Sequence, residues 1–281
     1  DTRDGTNTPG GVSGPLGPGA TMDVPVLGQG GVPGSGVAAV VLEVTATQPS
    51  TDTHLTLFPT GGSVPATSNL NLRAGTTVPN LVEVAVGTDG KVTVRNNSGT
   101  TQVIFDVAGW VDDVHTTTGV EGLFHPLSPA RILDTRESAG GTTIGPDATL
   151  DIQVLGEGGV PTTGVTAVVL NITVVNPTAP GFLAAFPAGS TWPGNSSSNF
   201  LAGQVVPSRV IVPVGTDGKV SLYNSKGTVD VIADVNGWYS DASDAEDVGA
   251  VFTGLPSPAR VFDSRDGAGT PVGAGGSVTV P

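Results

Sequence analysis

The sequence predicts an all-β protein built of tandem β-sandwich, jelly-roll-like domains of about 128 residues each. Three observations predict it. The same blocks of sequence occur twice, 128 residues apart. Short runs alternate apolar and polar residues at the two-residue period of a strand. No window carries an apolar stripe at helical period over three turns.

The repeat is read block by block. Val26-Leu27-Gly28-Gln29-Gly30-Gly31-Val32-Pro33 recurs as Val154-Leu155-Gly156-Glu157-Gly158-Gly159-Val160-Pro161. Val40 to Thr45 recurs as Val168 to Thr173, Val86 to Val92 as Val214 to Val220, and Asp106-Val107-Ala108-Gly109-Trp110 as Asp234-Val235-Asn236-Gly237-Trp238. A framing block, Ser128-Pro129-Ala130-Arg131-Ile132-Leu133-Asp134-Thr135-Arg136, returns as Ser257-Pro258-Ala259-Arg260-Val261-Phe262-Asp263-Ser264-Arg265, and the chain opens on the tail of the same block, Asp1-Thr2-Arg3. A unit of this size buries roughly two-thirds of its unfolded surface and is a domain, unlike a 20–50-residue solenoid repeat. The expected organisation is a first β unit at 1–113 lacking its opening strand, a complete second unit at 122–241, and the opening part of a third at 250–281. The polar stretches after Trp110 and Trp238 read as linkers. The phase of the repeat suggests a slice of a longer tandem array.

About eight short strands are expected per unit. Leu42, Val44 and Ala46 alternate with Glu43, Thr45 and Thr47, and Leu170, Ile172 and Val174 alternate with Asn171 and Thr173. Leu55 to Phe58, Val92 to Val94 and Val220 to Tyr223 continue the pattern. Asp89-Gly90 and Asp217-Gly218 read as hairpin turns, because both central residues tolerate positive φ. Pro59, Pro79, Pro187 and Pro207 read as punctuation at strand ends.

Composition narrows the function. Lys+Arg 11 against Asp+Glu 25 gives a net charge of −14, and charged residues are only 13%, roughly half the usual share. So few cations exclude nucleic acid and an anionic membrane surface as partners. The six-residue run Val37 to Leu42 is the longest apolar stretch, far short of a membrane span. The absence of cysteine removes disulfides, thiolate catalysis and Cys-ligated metals. A low-charge surface rich in Thr, Ser, Asn and Gly fits a secreted bacterial β protein.

The order Pro-Ala-Arg, Asp-Thr-Arg, Gly-Gly-Val-Pro, Asp-Gly-Lys-Val, Asp-Val-X-Gly-Trp resembles a tandem repeat common in predicted secreted proteins of actinobacteria. There it accompanies exported hydrolases or forms long arrays. The resemblance covers nearly the whole chain. It implies an extracellular or cell-surface location and brings no assigned activity.

Five of the 11 cations fall in the framing block: Arg3, Arg131, Arg136, Arg260 and Arg265. With Asp106, Asp134, Asp234 and Asp263 they read as a structural ion-pair network tying the opening strand to the Asp-Val-X-Gly-Trp strand. Arg suits this through its rigid bidentate fork. Trp110 and Trp238 read as core or interdomain anchors. Trp192, in a Pro-Gly-Asn-Ser loop, is the better candidate for stacking on a sugar. Asn71 and Asn199, 128 apart, are the amides that would accompany it.

No catalytic residue and no metal site is expected, and no cofactor. None of His54, His115 and His125 recurs, and no Gly-X-Ser-X-Gly, phosphate loop or His-Glu-X-X-His is present. Gly28-Gln29-Gly30-Gly31 is half a dinucleotide fingerprint and is followed by a strand, so it reads as a turn. Glu43 and Glu83 would be the best glycosidase carboxylates, and they become Asn171 and Ile211 in the second copy. Asp241, Asp244, Glu246 and Asp247 lack calcium-loop spacing and read as linker. The expected function is a non-catalytic structural repeat of an extracellular or cell-surface fibre whose partners are other copies of itself. The alternative is a repeated module binding cell-wall or extracellular polysaccharide, with avidity from repetition.

Overall fold

A computed structural model describes residues 1–5, 13–65, 68–112, 122–137, 142–241 and 273–280. The expected third unit lies outside the described residues except for 273–280, which form no strand. Among the described residues no helix is long and apolar enough to cross a membrane.

The chain forms antiparallel β structure in two successive units. The first holds β1 (Thr21–Pro25), β2 (Val37–Thr47), β3 (Thr53–Pro59), β4 (Leu70–Leu72), β5 (Thr77–Ala85), β6 (Lys91–Asn96) and β7 (Gln102–Asp112). The second holds β8 (Phe124–Asp134), β9 (Ala148–Gln153), β10 (Val165–Val175), β11 (Gly181–Pro187), β12 (Ser198–Phe200), β13 (Val206–Pro213), β14 (Lys219–Asn224) and β15 (Asp230–Ser240).

In the second unit one sheet has the order β13-β10-β15-β8 and the other β12-β11-β14-β9. First strand therefore pairs with last, second with seventh, third with sixth and fourth with fifth, which is the nesting of a jelly roll. The first unit repeats this with β5-β2-β7 and β1-β6-β3-β4. Its registers match the second at the same offset: Ala39 faces Ala85 as Ala167 faces Pro213. Among the described residues no strand pairs with β7 where β8 pairs with β15; Thr2, beside Asp1 and Arg3, bonds to it at Val103.

Alternation explains the cores. Val40, Leu42, Val44 and Ala46 of β2 point inward and are buried against Leu55, Leu57, Val92 and Val94. Leu170, Ile172, Leu183 and Leu222 do the same in the second unit. Each such side chain contributes roughly 1.5–3 kcal/mol of transfer free energy.

The Asp-Gly turns have the expected backbone but a different job. Asp89 and Asp217 have φ of 55° and 57°, each followed by a left-handed Gly. The flanking strands do not pair with each other. β5 bonds β2 in one sheet, and β6 bonds β1 and β3 in the other. These are corners between sheets, not hairpins. Gly87 and Gly215 are needed there by close approach: a Cβ would fall on the backbone of Thr60 or Ala188. Two of the prolines also differ from expectation. Pro59 and Pro187 end their strands, but Pro79 and Pro207 lie inside β5 and β13. They are tolerated because both strands are sheet edges.

Candidate functional site

The framing block folds into a clip. Arg136 donates from Nε to Asp134 Oδ1 at 2.8 Å and from Nη2 to Oδ2 at 2.6 Å, and its backbone N–H reaches Oδ1 at 3.1 Å. Those hydrogen bonds, against the cost of desolvation, hold the Asp134 carboxyl at about 2. Thr135 follows with a two-way bond to Val231 on β15. Arg3, Asp1 and Thr2 repeat the same clip on β7, with Arg3 Nε on Asp1 Oδ1 at 3.0 Å and Thr2 bonded both ways to Val103.

Arg131 extends the clip across strands. From β8 its Nε reaches Asp234 Oδ1 on β15 at 3.0 Å, and its Nη1 lies 3.5 Å from Asp134 Oδ2. Arg131, Asp134, Arg136 and Asp234 are thus brought together. Asp106 departs from the expected network. Among the described residues no hydrogen bond or ion pair reaches its carboxylate. Burial raises its pKa, opposed by the N-terminal ammonium and Arg3. Arg260, Asp263 and Arg265 lie outside the described residues.

A cleft of about 240 Å³ opens beside β7, lined by Asp1, Val24, Leu42, Phe105, Asp106 and Val107. In the second unit β8 packs at this place. A Cβ on Gly158 would meet Ala130 and Ile132 of β8, and one on Gly237 would strike Phe124. At the equivalent Gly30 a Cβ would touch Val107 alone, and at Gly109 nothing. Trp238 is stacked on His125 of β8, ring centroids 3.8 Å apart at 7°, and packs against the core as an anchor does. Trp110 is 44% exposed, its Nε1 donating to Asp112. Val235 is fully buried, while Val107 is only half-buried.

A second feature lies on the outer face of the other sheet in the second unit. Trp192, 39% exposed, stacks on Tyr223 of β14 at 4.8 Å and meets Phe182 of β11 at 5.5 Å. Its indole N–H donates to the Asn195 carbonyl, and Asn195 Oδ1 has no partner. Asn199 faces Phe182 across the β11–β12 ladder, its amide donating to Ser196 Oγ. Tyr223 donates to Asp147 Oδ1 at 2.9 Å. Asn71 has no such company. Its register partner is His54, and Arg95 and Val64 stand where Tyr223 and Trp192 stand. The sequence reading missed Phe182 and Tyr223. Strand parity carried the signal, since both alternate with the inward Leu183 and Leu222.

Glu43 is the other residue whose setting the sequence hid. It sits mid-β2, opposite Asp106 on β7, and is 7% exposed. Burial first, and Asp106 second, push its pKa to about 8. Burial also raises Glu83, with Arg209 opposing. Among the described residues no three His, Asp or Glu side chains gather as a metal site. No protein-family model matches the chain, and no curated protein matches it.

Proposed function

We propose that the chain is a non-catalytic structural repeat of an extracellular or cell-surface fibre or array, whose partners are other copies of itself. One observation carries this reading: the seven strands described in the first unit recur in the second at a constant offset, with the same clip, the same corner and the same core positions. What the two units have in common is folding chemistry. The positions that differ include the outer-face ones, where Trp192, Phe182 and Tyr223 stand against Val64, His54 and Arg95. Negative-stain electron microscopy of native, unconcentrated culture material tests it. Continuous fibres with an axial repeat of one sandwich are expected. Separate flexible beads would overturn it.

The Trp192 platform favours a second reading, carbohydrate binding, in the second unit alone. A flat indole stacked on Tyr223 and meeting Phe182, whose register partner is Asn199, suits a sugar's apolar face. Polysaccharide titrated into the chain should change tryptophan fluorescence saturably. Trp192→Ala should abolish the change, and Asn199→Ala should weaken binding by about tenfold, the loss of one to two hydrogen bonds. A response unaltered in Trp192→Ala would exclude the platform.

A further inference from the structure

Each sandwich has two outer faces, and one of them is closed. Ala39, Val41, Glu43 and Thr45 are the residues of β2 that point away from its core, yet all four are buried. Val169 of β10 stands where Val41 does, also points away from its core, and is fully buried. An outer face left to water would leave such residues open. β5, at the edge of the first of these sheets, lies against β12 and β13 of the second unit. We propose that the outer face of the β5-β2-β7 sheet is docked on the outer face of the β13-β10-β15-β8 sheet, so that the two jelly rolls of one chain form a single rigid body. Sheets packed face to face stand about 10 Å apart with interleaved side chains.

The charges at this joint are complementary. Arg209 of β13 acts on Glu83 of β5, and both act on Tyr239 of β15. Burial is the first cause that raises the Tyr239 phenol, Glu83 adds to it, and Arg209 opposes it. Three groups from two units therefore share one neighbourhood. Tyr239 reaches it from the register position opposite Ala167, on the outer side of the sheet. The repeat shows that these charges are not part of the common fold. β5 and β13 are equivalent strands, but Glu83 stands where the second unit has Ile211, and Arg209 stands where the first has Leu81. Each unit thus carries one charge that its counterpart lacks, on the strand that meets the other unit, and the two are of opposite sign. Such a pair selects one partner and one register. The Trp192 platform belongs to the other sheet of the second unit and stays outside the joint. The joint does not depend on the array reading, because it is made within one chain.

Pulsed electron resonance on the full chain tests this through the distance between two spin labels. The chain has no cysteine, so Ser63→Cys and Thr163→Cys place one nitroxide on each unit, both at exposed positions. One narrow distance is expected. Val169→Arg forces a guanidinium into the joint and should spread that distance over a broad range, while the second unit keeps its near-ultraviolet dichroism. Should Val169→Arg fail to fold, Glu83 and Arg209 are exposed enough to be exchanged without harm to either core. Glu83→Arg and Arg209→Glu should each lower the unfolding midpoint by about 2–4 °C, and the double exchange should restore it. A broad distance in the wild type overturns the proposal. So does a narrow one that survives Val169→Arg in a folded chain, and so do equal midpoints in the wild type and all three charge variants. A narrow distance that fades on dilution with unlabelled chain overturns it too, because the contact then lies between two copies. Fibres are scored separately: a narrow distance without native fibres keeps the joint and defeats the array reading, and native fibres of chains with a broad distance do the reverse.

Discussion

Replacing Asn224 by Ala should lower the stability of the second jelly roll by about 3 kcal/mol or more, a shift of roughly 10 °C in its unfolding midpoint. Asn224 ends β14 and is fully buried. Its amide donates to three carbonyls: Ile144 at 3.1 Å, Gly145 at 3.0 Å and Gly227 at 2.9 Å. It thereby pins two loops to the end of the sheet. Alanine removes this donor from all three; the Ile144 carbonyl still accepts from the Val229 N–H, whereas those of Gly145 and Gly227 lose it, and each buried group left unsatisfied costs about 1–3 kcal/mol. Asn96 makes the same three contacts in the first unit, to Leu16, Gly17 and Gly99. It also accepts from Thr53 Oγ1 at 2.8 Å, where the second unit has Gly181 and leaves Asn224 Oδ1 unpartnered. Asn96→Ala should therefore cost more than Asn224→Ala. Calorimetry of each variant checks both statements, and a shift under about 3 °C for Asn224→Ala would refute the account.

These asparagines mark the limit of what the sequence discloses. They recur at the constant offset, so the repeat flags them, but nothing local says that the amide spans two loops. The inward alternation of Leu42, Val44 and Ala46 was legible because strand parity is local. So was positive φ at Asp89 and Asp217. Which sheet each flanking strand joins was not legible, because pairing is set by partners tens of residues away, and the hairpin reading failed there. The Arg131–Asp234 pair follows the expected logic of the framing block. Asp106 departs from it: it holds the same register as Asp234, opposite Glu43 as Asp234 is opposite Asn171, yet no described side chain forms an ion pair with it. The aromatic platform was half visible. Trp192 stood out by its loop, whereas Phe182 and Tyr223 join it only once β11 and β14 lie side by side.

Glu43→Gln should stabilise the first jelly roll at pH 8 and leave it nearly unchanged at pH 4.5. Glu43 is enclosed mid-sheet, with Leu81 of β5 on one side and Asp106 of β7 on the other. Its folded-state pKa of about 8 lies above the ordinary value of 4.5, so the fold binds a proton that the unfolded chain releases. The stabilising protonated state is fully populated below pH 4.5. Stability is then lost as pH rises through the interval up to about 8, at about 1.4 kcal/mol per pH unit, for a total on the order of 3–5 kcal/mol. Glutamine keeps the shape and abolishes the titration. The second unit already tests the substitution in part: Asn171 occupies this position opposite Asp234, so a neutral amide is compatible with the same sheet. Unfolding midpoints of wild type and Glu43→Gln, measured from pH 4.5 to 8.5, should converge at the acid end and diverge steadily above it. Parallel curves would mean that water or a cation reaches Glu43 in the folded chain.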